Sequence, residues 1–210
     1  MSKQGMSYPI PFGYLEIILG GMYAGKTSRL VEIYNQCKFC NISVVVINHS
    51  IDNRYDDNEI ETYVSTHDRV KIPCIKTERL FNVLIGELNM EHNIQLVPKI
   101  NDKINIAICD VILINEGQFF PDLEEFVRHM LTFSKKIYVC GLDGDFERKK
   151  FGQILDLIPL CDKVTKLTSL CSLCKNGTPG IFSKRMTTET EQTVVGSNKY
   201  IPVCRACYIV

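Results

Sequence analysis

The 210-residue chain is 45% hydrophobic, which is enough to bury a full α/β core and to leave one small appended module. Its 24 Lys and Arg residues equal its 24 Asp and Glu residues, so the net charge is zero, and this argues against a basic field for non-specific nucleic-acid binding. No segment has the length of a membrane span, and residues 1–14 lack the apolar stretch of a secretion signal. We therefore expect a cytoplasmic protein that binds neither membranes nor nucleic acid.

The first predicted element is a buried strand at residues 15–19, and it runs into a glycine-rich segment. A helix is predicted to follow, from Thr27 to Phe39. The segment fits the phosphate-binding pattern G-x-x-x-x-G-K-[ST] and consists of Gly20, Gly21, Met22, Tyr23, Ala24, Gly25, Lys26 and Thr27. In this pattern backbone N–H groups bind phosphates at the start of the helix, Lys26 reaches the terminal phosphates of ATP, and Thr27 ligates Mg²⁺. The alternative is an ordinary glycine turn before Lys-Thr, and the match at all four defining positions disfavours it.

Segments with strand character then alternate with helical ones, as a parallel sheet with crossover helices requires. Strands are predicted at residues 43–48, 107–114 and 136–140, and helices at about 78–91 and 122–133. We expect an α/β fold with a P-loop NTPase-like parallel sheet. The expected divisions are an N-terminal tail at 1–13, a P-loop domain at 14–166 with a polar insertion at about 89–105, and a C-terminal module at 167–210.

The predicted strand at 107–114 ends in Asn115 and Glu116. At the carboxyl end of a parallel strand, Glu116 would face the same crevice as the phosphates. A carboxylate in this place is able to accept a proton from an attacking hydroxyl group. Taken alone, the segment fits a helix-capping or solvated glutamate almost equally well.

Two cysteine pairs lie near the end of the chain, with 29 residues between them. The pairs are Cys171-x2-Cys174 and Cys204-x2-Cys207, and each has the spacing that lets two sulfurs bind one metal ion. Four thiolates suit a closed tetrahedral Zn²⁺ site, which stabilises a small segment that has little core of its own. Disulfides are the alternative, and the missing secretion signal disfavours them.

Four segments in this order make the chain recognisable: GGMYAGKT at 20–27, EGQFFP at 116–121, GLDGDFERKKFG at 141–152 and YIPVCRACY at 200–208. Together they resemble the zinc-ribbon thymidine kinases of the cellular and poxviral type, over about residues 14–208. The resemblance implies transfer of phosphate from ATP to the 5′-hydroxyl of thymidine, with Mg²⁺ and a structural Zn²⁺. It also implies a homotetramer and feedback inhibition by dTTP. The C-terminal module would be a zinc ribbon whose long excursion forms the family's lasso loop.

The resemblance also assigns roles to single residues. Glu116 is similar to the family's general base, and Arg54 to the cation near the acceptor hydroxyl and the transferred phosphate. Lys26 completes the catalytic set. The residues that match nucleoside-binding positions are Met22, Phe119, Leu142, Phe146, Phe151, Ser183, Val194, Val195 and Tyr200.

Several positions depart from the family pattern, among them Asn115, Asp145 and Asn198. Asn115 stands where the family usually has Asp, so it can hold a Mg²⁺-bound water but adds no negative charge. Asp145 stands where the vertebrate enzymes have threonine. Two other classes of protein fit the sequence. One is a P-loop ATPase or other kinase that uses the ribbon as a docking module. The other is an inactive nucleotide-binding regulator, and Asn115 is the one feature that points to it. Activity is favoured because Lys26, Thr27 and Glu116 are all present.

Overall fold

The computed structural model describes residues 13–52, 63–66, 70–85, 99–100, 103–104 and 109–209. Within these residues the strands β1 to β14 are Tyr14–Leu19, Val44–His49, Tyr63–Ser65, Lys71–Pro73, Ile75–Thr77, Lys99–Ile100, Lys103–Ile104, Val111–Ile114, Lys136–Gly141, Lys163–Lys166, Ser169–Leu170, Pro179–Gly180, Phe182–Arg185 and Tyr200–Val203. The α-helices α1 to α4 are Lys26–Phe39, Asn82–Ile85, Leu123–Thr132 and Arg205–Ile209, and short 3₁₀ helices are found at Gly117–Phe119, Ile154–Leu160 and Ser197–Lys199.

Six strands form one parallel sheet in the order β10-β1-β9-β8-β2-β5. Parallel neighbours need crossover connections, and α1 and α3 supply two of them. The predicted α/β fold with a parallel sheet is therefore confirmed. Ligands of such sheets bind beyond the carboxyl ends of the strands, where β1 leads into the glycine-rich loop and β8 leads to Glu116.

Both faces of the sheet are covered at its central strands, which explains why β2 and β8 read as continuous apolar runs, whereas the edge strand β10 is largely exposed. Leu15, Ile17 and Leu19 of β1 belong to a buried cluster that includes Phe126 of α3. Ile18 points to the other face and packs in a second cluster, with α1. The carboxyl edge of the sheet is thus held by two packed layers, which fixes the position of the loops that build the site.

The C-terminal module has its own small core and its own antiparallel pairs. Strand β13 pairs with β14, and β11 pairs with β12. Its buried cluster contains Cys171, Val203 and Cys204, with Phe182 packed against them. Three buried residues are a small core, which agrees with a module that needs another source of stability.

The helix predicted at about 78–91 begins later than expected. Residues 78–81 form bends and turns, and α2 begins at Asn82. The carboxylate of the buried Asp122 accepts hydrogen bonds from the backbone N–H groups of Leu80 and Phe81, at 3.1 Å each. This long-range contact satisfies the two N–H groups outside a helix. Residues 86–98, with most of the predicted insertion, lie outside the described residues.

Candidate active site

The glycine-rich loop joins β1 to α1, and two of its positions require glycine. Gly20 has φ +153°, and a Cβ there would lie 2.5 Å from the carbonyl oxygen of Leu167. Gly25 has φ +84°, directly before α1 begins at Lys26. A side chain would strain the backbone at either position. The loop therefore turns sharply from the sheet into the helix, and the first N–H groups of α1, which have no partner within the helix, meet the cavity.

One cavity brings together most of the residues predicted from the sequence. It lies at the carboxyl edge of the sheet, between the glycine-rich loop and the C-terminal module. Of the predicted site residues, those that line it are Met22, Tyr23, Ala24, Gly25, Lys26, Thr27, Glu116, Phe119, Leu142, Phe146, Phe151, Ser183, Val194, Val195 and Tyr200. The described residues in this lining do not include Gly20, Gly21 or Asn115. Arg54 lies outside the described residues.

Glu116 is held in an uncommon backbone conformation at the end of β8. Its φ is +52°, a left-handed value that non-glycine residues seldom adopt. The Nε2 of Gln118 donates a 2.7 Å hydrogen bond to the Glu116 carboxylate, and the Oε1 of Gln118 accepts one from the N–H of Leu142 at 3.0 Å. Because Gln118 is almost fully buried, it fixes the direction of the carboxylate. Strained conformations of this kind persist where the surroundings determine them, and they cluster at functional sites.

Two glycines make room for Gln118. A Cβ at Gly152, whose φ is +59°, would lie 2.0 Å from the backbone oxygen of Gln118. A Cβ at Gly141 would lie 2.5 Å from its side-chain oxygen. Gln118 was not among the site residues predicted from the sequence. Its position in the EGQFFP segment, two residues after Glu116, is the signal that marks it.

Asn115 belongs to a buried chain of amides that ends at a carboxylate. Its Nδ2 donates to Oδ1 of Asn48 at 3.1 Å, and Nδ2 of Asn48 donates to Oδ2 of Asp52 at 3.1 Å. Asn48 and Asn115 are 1% and 2% exposed, whereas Asp52 lines the cavity. The negative charge on this side of the cavity is thus carried by Asp52 rather than by residue 115. The bond between Asn48 and Asn115 joins two strands and has no signal in the local sequence.

Aromatic side chains form the wall opposite the phosphate-binding loop. The rings of Phe119 and Phe151 meet edge to face, with centroids 5.4 Å apart. His49 packs against Phe119 at 5.7 Å, and burial lowers the pKa of this histidine. A neutral imidazole behind an aromatic wall keeps this part of the cavity uncharged, which suits the flat face of a base.

The C-terminal module closes the cavity from the other side. The N–H of Met22 donates a 2.9 Å hydrogen bond to Oγ of Ser183, which ties the phosphate-binding loop to β13. Gln192, in the excursion between β13 and β14, donates through Nε2 to the carboxylate of Asp145 at 2.7 Å. Asp145 also accepts hydrogen bonds from the N–H groups of Glu147 and Lys149, at 2.9 Å each. The loop after β9 and the excursion are thus linked through one carboxylate.

The four cysteines of the C-terminal module form a cluster. The Sγ atoms of Cys171, Cys174, Cys204 and Cys207 all lie within 4.8 Å of one another, and Cys174 is 3.7 Å from Cys204 and 3.5 Å from Cys207. Four thiolates about 2.3 Å from a Zn²⁺ ion lie about 3.8 Å apart in a tetrahedron, whereas a disulfide bond would need about 2.05 Å. The donor set and its spacing therefore fit zinc. In the described part of the chain, no other group of three or more His, Cys, Asp or Glu residues is suited to a metal.

A glycine-rich loop, a carboxylate and an aromatic wall around one cavity are the arrangement expected of a kinase of the P-loop class. The family model described as thymidine kinase matches residues 13–208. This chain belongs to the thymidine kinase family, and the resemblance noted in the sequence is confirmed. No helix in the described residues has the length and apolar character needed to cross a membrane.

Similar proteins include poxviral and amoebal enzymes. The thymidine kinase of Yaba monkey tumor virus (strain VR587) is 36% identical over 197 residues, which cover 93% of this chain and 94% of the relative. That of vaccinia virus (strain Western Reserve) is 36% identical over 198 residues, or 94% and 97% of the two chains. Thymidine kinase 1 of Dictyostelium discoideum is 33% identical over 197 residues, or 93% and 78%.

Proposed function

We propose that the protein is a thymidine kinase, which transfers the γ-phosphate of ATP to the 5′-hydroxyl of thymidine and yields dTMP and ADP. Membership of the thymidine kinase family supports the substrate. The observation that carries the chemistry is that Lys26, Thr27 and Glu116 line one cavity together with the aromatic wall. Both substrates can then bind side by side, with the reacting groups between them.

The phosphates of ATP would bind at the glycine-rich loop and the start of α1. In the structure, Nζ of Lys26 donates a 2.8 Å hydrogen bond to the carbonyl of Gly21 in this loop, which supports a role for its charge at the terminal phosphates. The Thr27 hydroxyl and the Asp52 carboxylate are oxygen donors in the same cavity, and they fit the ligand preference of Mg²⁺. When bound, Mg²⁺ would neutralise charge on the phosphates.

Glu116 would be the general base. Its carboxylate is oriented by Gln118 and points from the end of β8 into the cavity. It would accept the proton of the 5′-hydroxyl as that oxygen attacks the γ-phosphate. Arg54 is proposed, from the resemblance alone, as the cation near this hydroxyl.

The nucleoside would bind between the aromatic wall and the C-terminal module. Phe119 and Phe151 present ring edges and faces, and Val194 and Val195 lie on the opposite side. The Tyr200 hydroxyl donates to the carbonyl of Val194 at 3.0 Å, so this tyrosine offers its ring rather than its hydroxyl to a ligand. Since the family is that of the thymidine kinases, we expect this part of the cavity to favour a single pyrimidine ring over a purine.

Three further proposals follow the family. The cysteine cluster would hold one structural Zn²⁺, since its donors and spacing fit. The protein would assemble as a homotetramer. The nucleotide dTTP would be a feedback inhibitor, because it has the base of the substrate and a triphosphate on one molecule.

The decisive test is an assay of ATP-dependent phosphate transfer across the common nucleosides. We expect dTMP from thymidine, a slower product from deoxyuridine, and little turnover of deoxyadenosine or deoxyguanosine. The Lys26→Ala variant is the control, because it should lose ATP use and still bind thymidine. Equal turnover of the purine deoxynucleosides, or no transfer to any nucleoside, would refute the proposal.

A further inference from the structure

The excursion that covers the cavity, residues 186–199, is long and has little regular structure. It connects β13 to β14, and the N–H of Met186 closes its base by donating to the carbonyl of Lys199 at 2.8 Å. The 3₁₀ helix Ser197–Lys199 is the one regular element among these residues. Most of its carbonyl groups have no partner in a helix or strand and must find one elsewhere. A loop of this length also loses much conformational entropy when it is fixed.

Arg185 supplies many of these partners from the base of the loop. It is the last residue of β13 and lies opposite Tyr200 in the ladder. Its Nη1 donates to the carbonyls of Glu189 at 2.8 Å and Glu191 at 2.7 Å, and its Nη2 donates to that of Gln192 at 3.1 Å. Nε and Nη2 also donate to the Tyr200 hydroxyl, at 3.1 Å and 2.6 Å. These five bonds equal the five N–H groups that a guanidinium has.

The same guanidinium links the loop to the cavity wall. Its central carbon lies 3.6 Å from the centroid of the Phe146 ring and 5.2 Å from that of Tyr200. Both aromatic residues line the cavity, whereas the lining in the described part of the chain does not include Arg185. The backbone of Phe146 is held in turn, because its carbonyl accepts a hydrogen bond from the Tyr208 hydroxyl.

Tyr200 extends this arrangement to the part of the loop nearest the nucleoside. Its hydroxyl accepts from Arg185 and donates to the carbonyl of Val194. Four loop carbonyls, those of Glu189, Glu191, Gln192 and Val194, therefore converge on Arg185 and Tyr200. The loop folds around the guanidinium, and Val194 and Val195 are presented to the cavity as a result.

We propose that Arg185 is a positioning residue that shapes the lid over the nucleoside part of the cavity before any substrate binds. It acts through Tyr200, Phe146 and the loop carbonyls and does not contact the substrate. The ligand beneath this lid would be thymidine, so the inference rests on the proposed function. Lysine cannot replace Arg185, because an ammonium group has three N–H donors and no planar face to stack on Phe146.

The test compares Arg185→Met and Arg185→Lys with a matched control, Arg128→Met. Arg128 lies on α3 and forms an exposed ion pair with Glu124 of the same helix. Hydrogen exchange is measured first on the zinc-loaded, ligand-free proteins. We expect backbone amides of residues 187–195 to exchange at least about tenfold faster in Arg185→Met, with a smaller increase in Arg185→Lys and none in Arg128→Met.

Kinetics give the second readout. If the lid binds thymidine equally in the ground and transition states, Arg185→Met should raise the KM for thymidine about tenfold or more and change kcat little. The KM for ATP should stay within about twofold, because the phosphate-binding loop is untouched. A general loss of stability would instead alter both KM values and the zinc content.

Two results would overturn the proposal: wild-type exchange in the loop of Arg185→Met, or equal increases in both KM values. If Arg185→Met loses its zinc, Arg185→Lys carries the test, and wild-type exchange and wild-type KM in that variant would likewise overturn it. Failure of the wild-type protein to phosphorylate thymidine would refute the proposed function. The exchange comparison on the ligand-free protein would still decide the role of Arg185.

Discussion

Replacement of Asn115 by aspartate should weaken this protein. In the native structure the Nδ2 of Asn115 donates to Oδ1 of Asn48, and the Nδ2 of Asn48 donates to Asp52. An aspartate at 115 would place an acceptor 3.1 Å from the Asn48 oxygen. If Asn48 turned its amide over, its oxygen would face the Asp52 carboxylate instead. In either arrangement, one buried hydrogen bond becomes a contact between two acceptors.

The expected size of the effect follows from burial. Loss of one buried hydrogen bond with an acceptor left unpaired costs about 1–3 kcal/mol, and an ionised carboxylate in that place adds to the cost. We expect Asn115→Asp to lower the free energy of unfolding by about 2–4 kcal/mol at pH 8. In a chain of this size the melting temperature would fall by roughly 5–12 °C.

The loss of stability in Asn115→Asp should increase as pH rises. Burial would raise the folded-state pKa of the carboxyl group introduced at position 115 above its unfolded value of about 3.9. The folded state then holds its proton more tightly, so the difference from wild type should be smallest near pH 4 and should grow as pH rises through the folded pKa. Urea unfolding of the zinc-loaded protein at several pH values, without nucleotide or Mg²⁺, measures this difference.

The matched control is Asn35→Asp, which makes the same charge change on the exposed face of α1. It should alter stability by less than about 0.5 kcal/mol at any of these pH values. An Asn115→Asp protein as stable as wild type at pH 8 would refute the reasoning, because a carboxylate would then fit the buried amide chain without loss.

Three further perturbations test other parts of the structure. Glu116→Gln keeps the size of the side chain and removes its basicity, so kcat should fall roughly 10²- to 10⁴-fold with little change in the KM for thymidine. A normal kcat with a raised KM would instead show that Glu116 contributes to binding only. We expect elemental analysis to find one zinc per chain in the wild type and none in Cys171→Ser. Thymidine binding should weaken in this variant while ATP binding persists, and full activity without zinc would contradict the prediction. Burial of Glu16 opposes ionisation, but hydrogen bonds from Thr165, Lys163 and Tyr14 outweigh it and lower the pKa of this carboxyl. The stability that ionised Glu16 adds is present above about pH 4.3 and is lost as pH falls through its lowered folded pKa. The free energy of unfolding of Glu16→Gln should therefore decline less steeply than that of the wild type between about pH 5 and 3. An equally steep decline in the variant would be evidence against this effect.

The parts of the site that were predictable from the sequence are those encoded by residues close together in the chain. The glycine-rich loop needs Gly20 and Gly25 for backbone reasons, and its spacing is fixed by the turn it makes. The cysteine pairs are predictable for the same reason, because each pair must reach one ion from a single tight turn. Glu116 follows from its place at the end of a buried strand, although its role remains a prediction until it is tested.

The parts that could not be predicted depend on which strands become neighbours. Asn48 meets Asn115 because β2 lies beside β8, and the two residues are 67 positions apart. The resemblance implies that Asn115 holds a Mg²⁺-bound water, and this stays a prediction; in the structure its amide nitrogen donates to Asn48. The start of α2 moved for a similar reason, since Asp122 binds the preceding turn from 42 positions away. Local sequence patterns do not predict which distant residues will meet in this way.

The cysteine cluster and the lid lie at opposite ends of the short β13–β14 ladder. Cys204 follows Val203, which pairs with Phe182 at one end of the β13–β14 ribbon, and Arg185 pairs with Tyr200 at the other end. Three residue steps of about 3.4 Å separate the two ends, so about 10 Å of antiparallel backbone joins the cysteine cluster to the base of the excursion. The β13–β14 pair connects the thiolates to the base of the excursion through a continuous antiparallel ladder. If the cysteine cluster holds zinc as proposed, a cell that withholds zinc would produce a chain with an intact glycine-rich loop but without the excursion held over the cavity. The supply of metal would then set how much thymidine kinase activity a given amount of chain provides.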